Sequence, residues 1–128
     1  MNETPVQRQL LLCEKIIFEQ GTGNPTLINC HSARPVDTVP TEPASFIVYG
    51  LLTDGYGAFT MQMRVMRLDT FEDIYQHTEP MLLADRLKPT LYVFRMKNLV
   101  FPVAGRYEID VLANGELLGM TTLSIRSG

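Results

Sequence analysis

The fold class of this chain is decided by residues 101–125, which read FPVAGRYEIDVLANGELLGMTTLSI. From Arg106 to Val111, charged and apolar residues alternate, as they do in a strand with one buried face. Asn114-Gly115 follows, a residue pair that favours a tight hairpin turn because both positions accept positive φ. A second run of β-forming residues comes after the turn. These residues therefore predict an antiparallel β-hairpin.

The register of this hairpin has two alternatives. A two-residue loop places Val111 opposite Leu118. A three-residue loop with a glycine bulge places Val111 opposite Leu117 and keeps Leu123 and Ile125 on the buried face. A shift of one residue exchanges the buried and exposed sets of a strand. We favour the second register because it buries the more apolar face.

Turn signals divide the rest of the chain into short β-rich runs. Residues 9–19 and 26–32 flank the Gly- and Pro-containing segment 20–25, which predicts a first hairpin. Three prolines in residues 34–43 predict an extended connection that crosses from one sheet to another. Further strands are predicted at residues 45–52, 58–67 and 90–97, with a turn at residues 53–57.

Two segments bear on the choice of fold class. Residues 45–52 are almost continuously apolar, which predicts burial on both faces of the sheet. Residues 68–85 allow a short helix at residues 70–75 or a strand at residues 73–78, and we favour the strand. No alternation of strands with helices occurs. We therefore predict an all-β fold in one domain, residues 1–128. It is an antiparallel β-sandwich of about seven or eight strands, immunoglobulin-like or C2-like, with one short helix as the alternative.

Composition excludes several classes of protein. The chain has 128 residues, 45% of them hydrophobic, and a net charge of −3, which fits one globular domain. Its basic residues form no concentrated footprint, so we expect neither nucleic acid nor an anionic membrane as partner. No apolar run reaches the length of a membrane span, and the first residues lack the features of a signal peptide. We expect a cytoplasmic protein of a microbial cell.

The segment Phe101-Pro102-x-x-Gly105-x-Tyr107 is similar to a corner that many β-sandwich domains make before their penultimate strand, with the tyrosine ring packed at the sheet end. Leu12-Cys13-Glu14, the glycine-rich turn and Asn29-Cys30 extend this similarity. The chain resembles a group of small uncharacterised bacterial β-sandwich proteins of about this length, a domain of unknown function. The resemblance covers most of the chain and implies no catalytic residues. The Cys…Trp…Cys pattern of immunoglobulin domains is absent, since the chain has no tryptophan.

No catalytic or metal-binding motif stands out, so we predict no catalytic residue, no metal and no cofactor. Cys13 and Cys30 lie on the two arms of the first predicted hairpin and, with His31, raise the alternative of a redox disulfide or part of a metal site. We favour two small thiols, because zinc takes three or four ligands and only His77 remains. The serines lack the context of a nucleophile. The middle of the chain is acidic, which suits calcium but more commonly is solvated loop charge. The acidic residues concerned are Asp69, Glu72, Asp73, Glu79 and Asp85.

Surplus apolar residues suggest a function in binding. Met66 falls on the polar face of its strand and, with Tyr92, Phe94 and Met96, would form an apolar patch for a protein partner or a second copy. If both faces of the sheet are covered, the same residues are core. We therefore expect a non-enzymatic module that binds a protein or self-associates. The alternatives are a metal-dependent or thiol enzyme and a sandwich that binds a small ligand or glycan. The stacking residues of that last alternative are Tyr49, Tyr56, Tyr75 and Tyr92.

Overall fold

Ten β-strands make up the secondary structure in this computed structural model, which describes residues 2–30 and 32–127. No helix occurs in that part of the chain, so the helix considered at residues 70–75 does not form. The strands are β1 (Val6–Cys13), β2 (Lys15–Phe18), β3 (Pro25–Ile28), β4 (Ala33–Val36), β5 (Ala44–Thr53), β6 (Gly57–Arg67), β7 (Asp73–Leu83), β8 (Thr90–Leu99), β9 (Gly105–Ala113) and β10 (Glu116–Ser127).

The strands form two packed sheets and one separate hairpin. The small sheet has the order β1-β5-β8, and the large sheet has the order β4-β10-β9-β6-β7. All pairs are antiparallel except β4 with β10, which is parallel. The chain passes from the small to the large sheet between β5 and β6, and this order is that of an immunoglobulin-type sandwich. The prediction of a β-sandwich is confirmed, and of the two types considered the strand order is the immunoglobulin-like one.

The core lies between the inner faces of the two sheets. On β6 the alternation predicted from the sequence holds, because Phe59, Met61, Met63 and Val65 are all buried. The core residues contributed by the other strands include Leu12, Phe46, Val48, Tyr92, Phe94, Met96, Tyr107, Ile109, Val111, Leu123 and Ile125.

The predicted corner before β9 is built around Tyr107. Its hydroxyl donates a hydrogen bond to the Val103 carbonyl at 2.7 Å, four residues upstream. Its ring packs edge-on against Phe101, with 4.8 Å between the ring centroids. Gly105 adopts a φ of 145°, which a residue with a Cβ atom rarely accepts. This corner therefore fixes where the chain enters β9.

The register of the last hairpin combines parts of both alternatives. The loop has two residues, Asn114 and Gly115, both with positive φ. A bulge at Leu118 then shifts the pairing, so that Val111 lies opposite Gly119. The three-residue loop is therefore wrong, although the buried set expected from it is partly right. Leu123 and Ile125 are buried, while Leu117 is exposed. Asn114-Gly115 favours a two-residue turn, whereas burial of Leu123 and Ile125 needs a pairing shifted by one residue. The extra residue in the bulge allows both.

The first predicted hairpin is divided differently from our expectation. The run 9–19 breaks at Glu14, so that β1 pairs with β5 of the small sheet while β2 pairs with β3. The connection 34–43 crosses between the sheets as expected, but it starts with the short edge strand β4, which was not predicted. These splits raise the number of strands to ten. The strand favoured at residues 73–78 is confirmed and extends to Leu83.

The small sheet is held together on its inner face by Tyr92. The Tyr92 ring lies across Gly50 of the neighbouring strand, and its hydroxyl donates to Gln7 Oε1 on β1 at 2.7 Å. Burial raises the pKa of this phenol. A Cβ atom on Gly50 would come within 2.1 Å of Tyr92 Cζ. The contact therefore spans all three strands and requires glycine at its centre.

No helix in the described residues has the length and apolar character of a membrane span.

Candidate functional site

The outer face of the small sheet is apolar, which is unusual for a sheet face directed away from the core. The residues that alternate with the main core on β1, β5 and β8 form this outer apolar face: Leu11, Cys13, Ile47, Tyr49, Leu51, Leu91 and Val93. Cys13, Ile47 and Tyr49 are buried and form a second small cluster with Ile16 of β2. The β2–β3 hairpin therefore lies over part of this face. Burial of residues 45–52 on both faces was predicted from their continuous apolarity, and Ile47 and Tyr49 follow that prediction.

The hairpin leaves part of the outer apolar face uncovered. Leu11 is 44% exposed, and Leu91 and Val93 are only partly buried. On the hairpin itself, Ile17 and Phe18 direct about half of their surface to solvent. Contiguous exposed apolar surface of this kind marks interaction sites on soluble domains. The residues described here provide no cover for it.

The partner patch predicted from the sequence is not on the surface. Tyr92, Phe94 and Met96 are buried in the main core. Met66 lies in the large sheet, between Glu108 of β9 and Asp73 of β7. The structure therefore separates Met66 from the other three and removes those three from contact with a partner. Residues 90–97 carry apolar side chains of both parities, and the sequence alone does not say which parity faces the core.

The two cysteines are free, with Cys13 buried and Cys30 exposed. Burial, and next the neighbouring Cys30, raise the pKa of the Cys13 thiol, which lowers its reactivity because the thiolate is the nucleophile. His31 lies outside the described residues. His77 lies on the surface of β7, where its Nε2 atom pairs with Glu79 Oε1 at 2.8 Å. Among the described residues, no third His, Cys, Asp or Glu side chain joins the two cysteines in a group that could hold a metal ion.

In the acidic middle segment, Asp69, Asp73 and Asp85 each have a separate hydrogen-bond partner. Asp69 accepts two hydrogen bonds from Arg67, which lower the pKa of its carboxyl. Asp73 accepts from Gln76 at 2.8 Å, and Asp85 accepts from the Leu87 backbone N–H at 2.9 Å. Within residues 2–30 and 32–127, no three such side chains converge on a position that would hold a metal ion.

A buried ion pair on the outer face of the large sheet was missed from the sequence. Asp110 is 1% exposed, and its Oδ2 atom accepts a hydrogen bond from Arg64 Nη2 at 2.7 Å. A hydrogen bond to Asp110, together with burial, raises the pKa of Glu108. The Asp110 Oδ1 atom is buried and has no hydrogen-bond partner in the described structure. Finding this cluster requires the pairing of β6 with β9, which no local pattern reveals.

Two cavities open at the ends of the sandwich. The larger, about 450 Å³, lies beside the connection from β4 to β5 and is lined in part by Arg34, Phe46 and Phe101. The Arg34 guanidinium stacks over the Phe46 ring at 4.8 Å. The smaller, about 290 Å³, lies at the tyrosine corner beside Arg67 and Tyr107. None of the tyrosines proposed for stacking lines these two cavities. Tyr49 and Tyr92 are buried instead, and Tyr56 stacks with Arg86.

Comparison with known proteins gives a fold and a family. An alkylpurine DNA glycosylase from Pseudomonas fluorescens, AlkC, bound to DNA containing an abasic site analog, superposes with a TM-score of 0.53 at 12% identity, over 75% of this chain. The chain spans only 28% of that enzyme, so the likeness concerns the sandwich fold. An immunoglobulin-like protein from Pseudomonas aeruginosa gives a TM-score of 0.43 at 13% identity, over 94% of this chain and 98% of that one. No curated protein matches the sequence. The model of a protein family of unknown function matches residues 8–126, in agreement with the resemblance to uncharacterised sandwich proteins. The chain therefore belongs to this family, DUF6941.

Proposed function

We propose that this protein is a non-enzymatic, immunoglobulin-like module whose outer apolar face binds another protein. The observation that carries the proposal is the uncovered apolar surface of the small sheet, where Leu11, Leu91 and Val93 remain partly exposed beside the hairpin. Burying such surface stabilises a complex by roughly 25 cal/mol per Å². Together with the exposed side of the hairpin, the face offers a docking area on one side of the molecule.

The proposal includes a cytoplasmic location and a protein partner. Two free cysteines, one of them exposed, suit a reducing compartment. The net charge of −3 favours a protein over nucleic acid or an anionic membrane. Self-association through the same face is the second form of the proposal, because an apolar face also suits a copy of itself.

The test compares two substitutions of exposed leucines. Leu11→Asp places a charge in the outer apolar face, and Leu117→Asp places one on β10 of the large sheet, where Leu117 is 52% exposed. Stability should change by a similar amount, about 1 kcal/mol, in the two variants, since both side chains are about half exposed. Sedimentation velocity reports self-association, and affinity capture with mass spectrometry reports a partner.

We expect one specific association of the native protein that Leu11→Asp abolishes and Leu117→Asp retains. An association that both variants retain would overturn the choice of face. A strictly monomeric protein that captures no specific partner would overturn the function itself.

A second candidate function, binding of a small ligand, is favoured by the larger cavity. Its volume of about 450 Å³ falls within the range of ligand pockets. Arg34 offers a charge for an anion. Benzoate and phenyl phosphate suit this chemistry as probes in NMR titrations. Shifts confined to this cavity and lost in Arg34→Gln support the candidate, and unchanged spectra at millimolar probe concentrations exclude it.

A further inference from the structure

The small sheet ends in a long free edge. Strand β8 (Thr90–Leu99) pairs with β5 on one side only, and from Thr90 to Met96 the pairing is regular. The other edge strands of the two sheets carry features that interrupt pairing with another chain, whereas β8 is irregular only after Met96. Strand β1 has an irregularity between Gln7 and Gln9, while β4 is only four residues long and contains Pro35. Strand β7 contains Pro80. Unpaired backbone groups on a regular edge are a template for a further strand.

Beneath this edge, the large sheet extends beyond the small one. On β7, Tyr75, His77, Glu79 and Met81 lie opposite core residues of β6, so their side chains point toward the inside of the sandwich, where Glu79 is paired with His77. They are nevertheless incompletely covered, and the His77 side chain is 43% exposed. The His77 ring meets Phe94 of β8 with 6.1 Å between centroids. The inner side of β7 and the free edge of β8 therefore form a step, where a fourth strand of the small sheet would fit.

The edge is positively charged in an otherwise acidic protein. Residues 86–107 contain five basic residues and no acidic one, although the whole chain has a net charge of −3. On β8 itself, Arg95 and Lys97 are exposed and form no salt bridge with any described residue. An extended segment of alternating apolar and acidic residues, with its acidic side chains on the outer side, would complement Arg95 and Lys97.

We propose that β8 is the docking edge for an acidic, extended segment of a partner protein, which adds a fourth strand to the small sheet. Strand addition draws affinity from main-chain hydrogen bonds and specificity from alternate side chains. In this arrangement the inward side chains of the segment cover Tyr75 and Met81, and the outward carboxylates meet Arg95 and Lys97. The inference deepens the proposed function by naming a partner chemistry, but it concerns the sheet edge and not the outer apolar face.

The test uses a blocked peptide of alternating valine and glutamate as the probe. Hydrogen exchange of the full chain is measured with and without this peptide, and we expect added protection in residues 90–97. The double variant Arg95→Glu/Lys97→Glu should weaken binding about tenfold or more. The matched control, Arg126→Glu, alters an exposed arginine at the end of β10 and should leave binding unchanged.

Main-chain pairing is tested with two N-methylated forms of the peptide. Alternate N–H groups of a strand point to opposite edges, so methylation of one alternate set should abolish binding and methylation of the other should spare it. The proposal is overturned if both forms bind equally, if both fail, or if the unmodified peptide neither binds nor protects residues 90–97. Protection of β8 that rises with protein concentration alone would assign the edge to a second copy instead. Leu11 lies on β1, at the opposite edge of the sheet, so failure here is distinguishable from failure of the outer-face proposal.

Discussion

The outer faces of the two sheets differ in how their side chains are paired or covered. On the outer face of the large sheet, the charged residues Arg64 and Asp110 are paired with each other, although Leu117 and Met120 beside them are exposed. On the small sheet, the outer apolar face is covered in part by the β2–β3 hairpin and otherwise meets solvent. The comparison teaches that buried charge on one face finds its partner within the chain, whereas the apolar residues of the other face are covered only in part.

The largest effect is expected from breaking the ion pair of Arg64 with Asp110. Arg64→Met leaves the Asp110 carboxylate buried without its partner, and we expect a loss of about 3 kcal/mol in the free energy of unfolding at neutral pH. Urea denaturation measures this loss.

The matched control for that substitution is Arg67→Met on the same strand. Arg67 pairs with Asp69, whose side chain is 64% exposed, so the loss should stay below about 1 kcal/mol. Equal losses in the two variants would show that burial of Asp110 does not distinguish the two pairs.

An intermediate effect is expected from crowding the small sheet. Gly50→Ala drives a methyl group into the Tyr92 ring, and overpacking of this kind costs about 2 kcal/mol. Gly119→Ala is the control, because its Cβ would meet only side chains, with 3.2 Å to Gln7 Cγ and 3.8 Å to Leu10 Cδ2. Thermal denaturation compares the two. A neutral Gly50→Ala would mean that the small sheet adapts and that the Tyr92 contact is not what holds its strands.

The smallest effect concerns how the contribution of Glu108 to stability depends on pH. The folded protein raises the pKa of Glu108 above its ordinary value of 4.5, so the folded state holds a proton that the unfolded state releases. This contribution to stability is fully present below the ordinary pKa and is lost as the pH rises through the raised one. Glu108→Gln keeps a donor beside Asp110 and cannot titrate.

The melting temperature measured across this pH window should therefore decline less steeply in Glu108→Gln than in the native protein. Glu116→Gln serves as the control, since Glu116 is an exposed residue at the start of β10. Parallel curves for the native protein and Glu108→Gln would contradict the shared proton.

Local patterns predicted most of the strands but not their partners. The alternation from Phe59 to Val65 and the corner at Tyr107 are encoded by neighbouring residues, and both were predicted. The bulge at Leu118 was not, because turn chemistry and apolar parity conflict there and the structure satisfies both. The apolar patch at Met66 was misplaced for a related reason, since β8 is apolar in both parities. The pair of Arg64 with Asp110 depends on the register of two strands far apart in sequence.

The parallel pairing of β4 with β10 has a consequence for biosynthesis. Ala33 has no partner until Ser124 has been synthesised, so this edge of the large sheet can close only after β10 has been made. Contacts between distant parts of a chain also form slowly, because the intervening loop must be closed first. The β4 segment and the cavity beside it are therefore expected to assemble last. The nascent chain therefore leaves this region unpaired until β10 is available, and a chaperone would bind there.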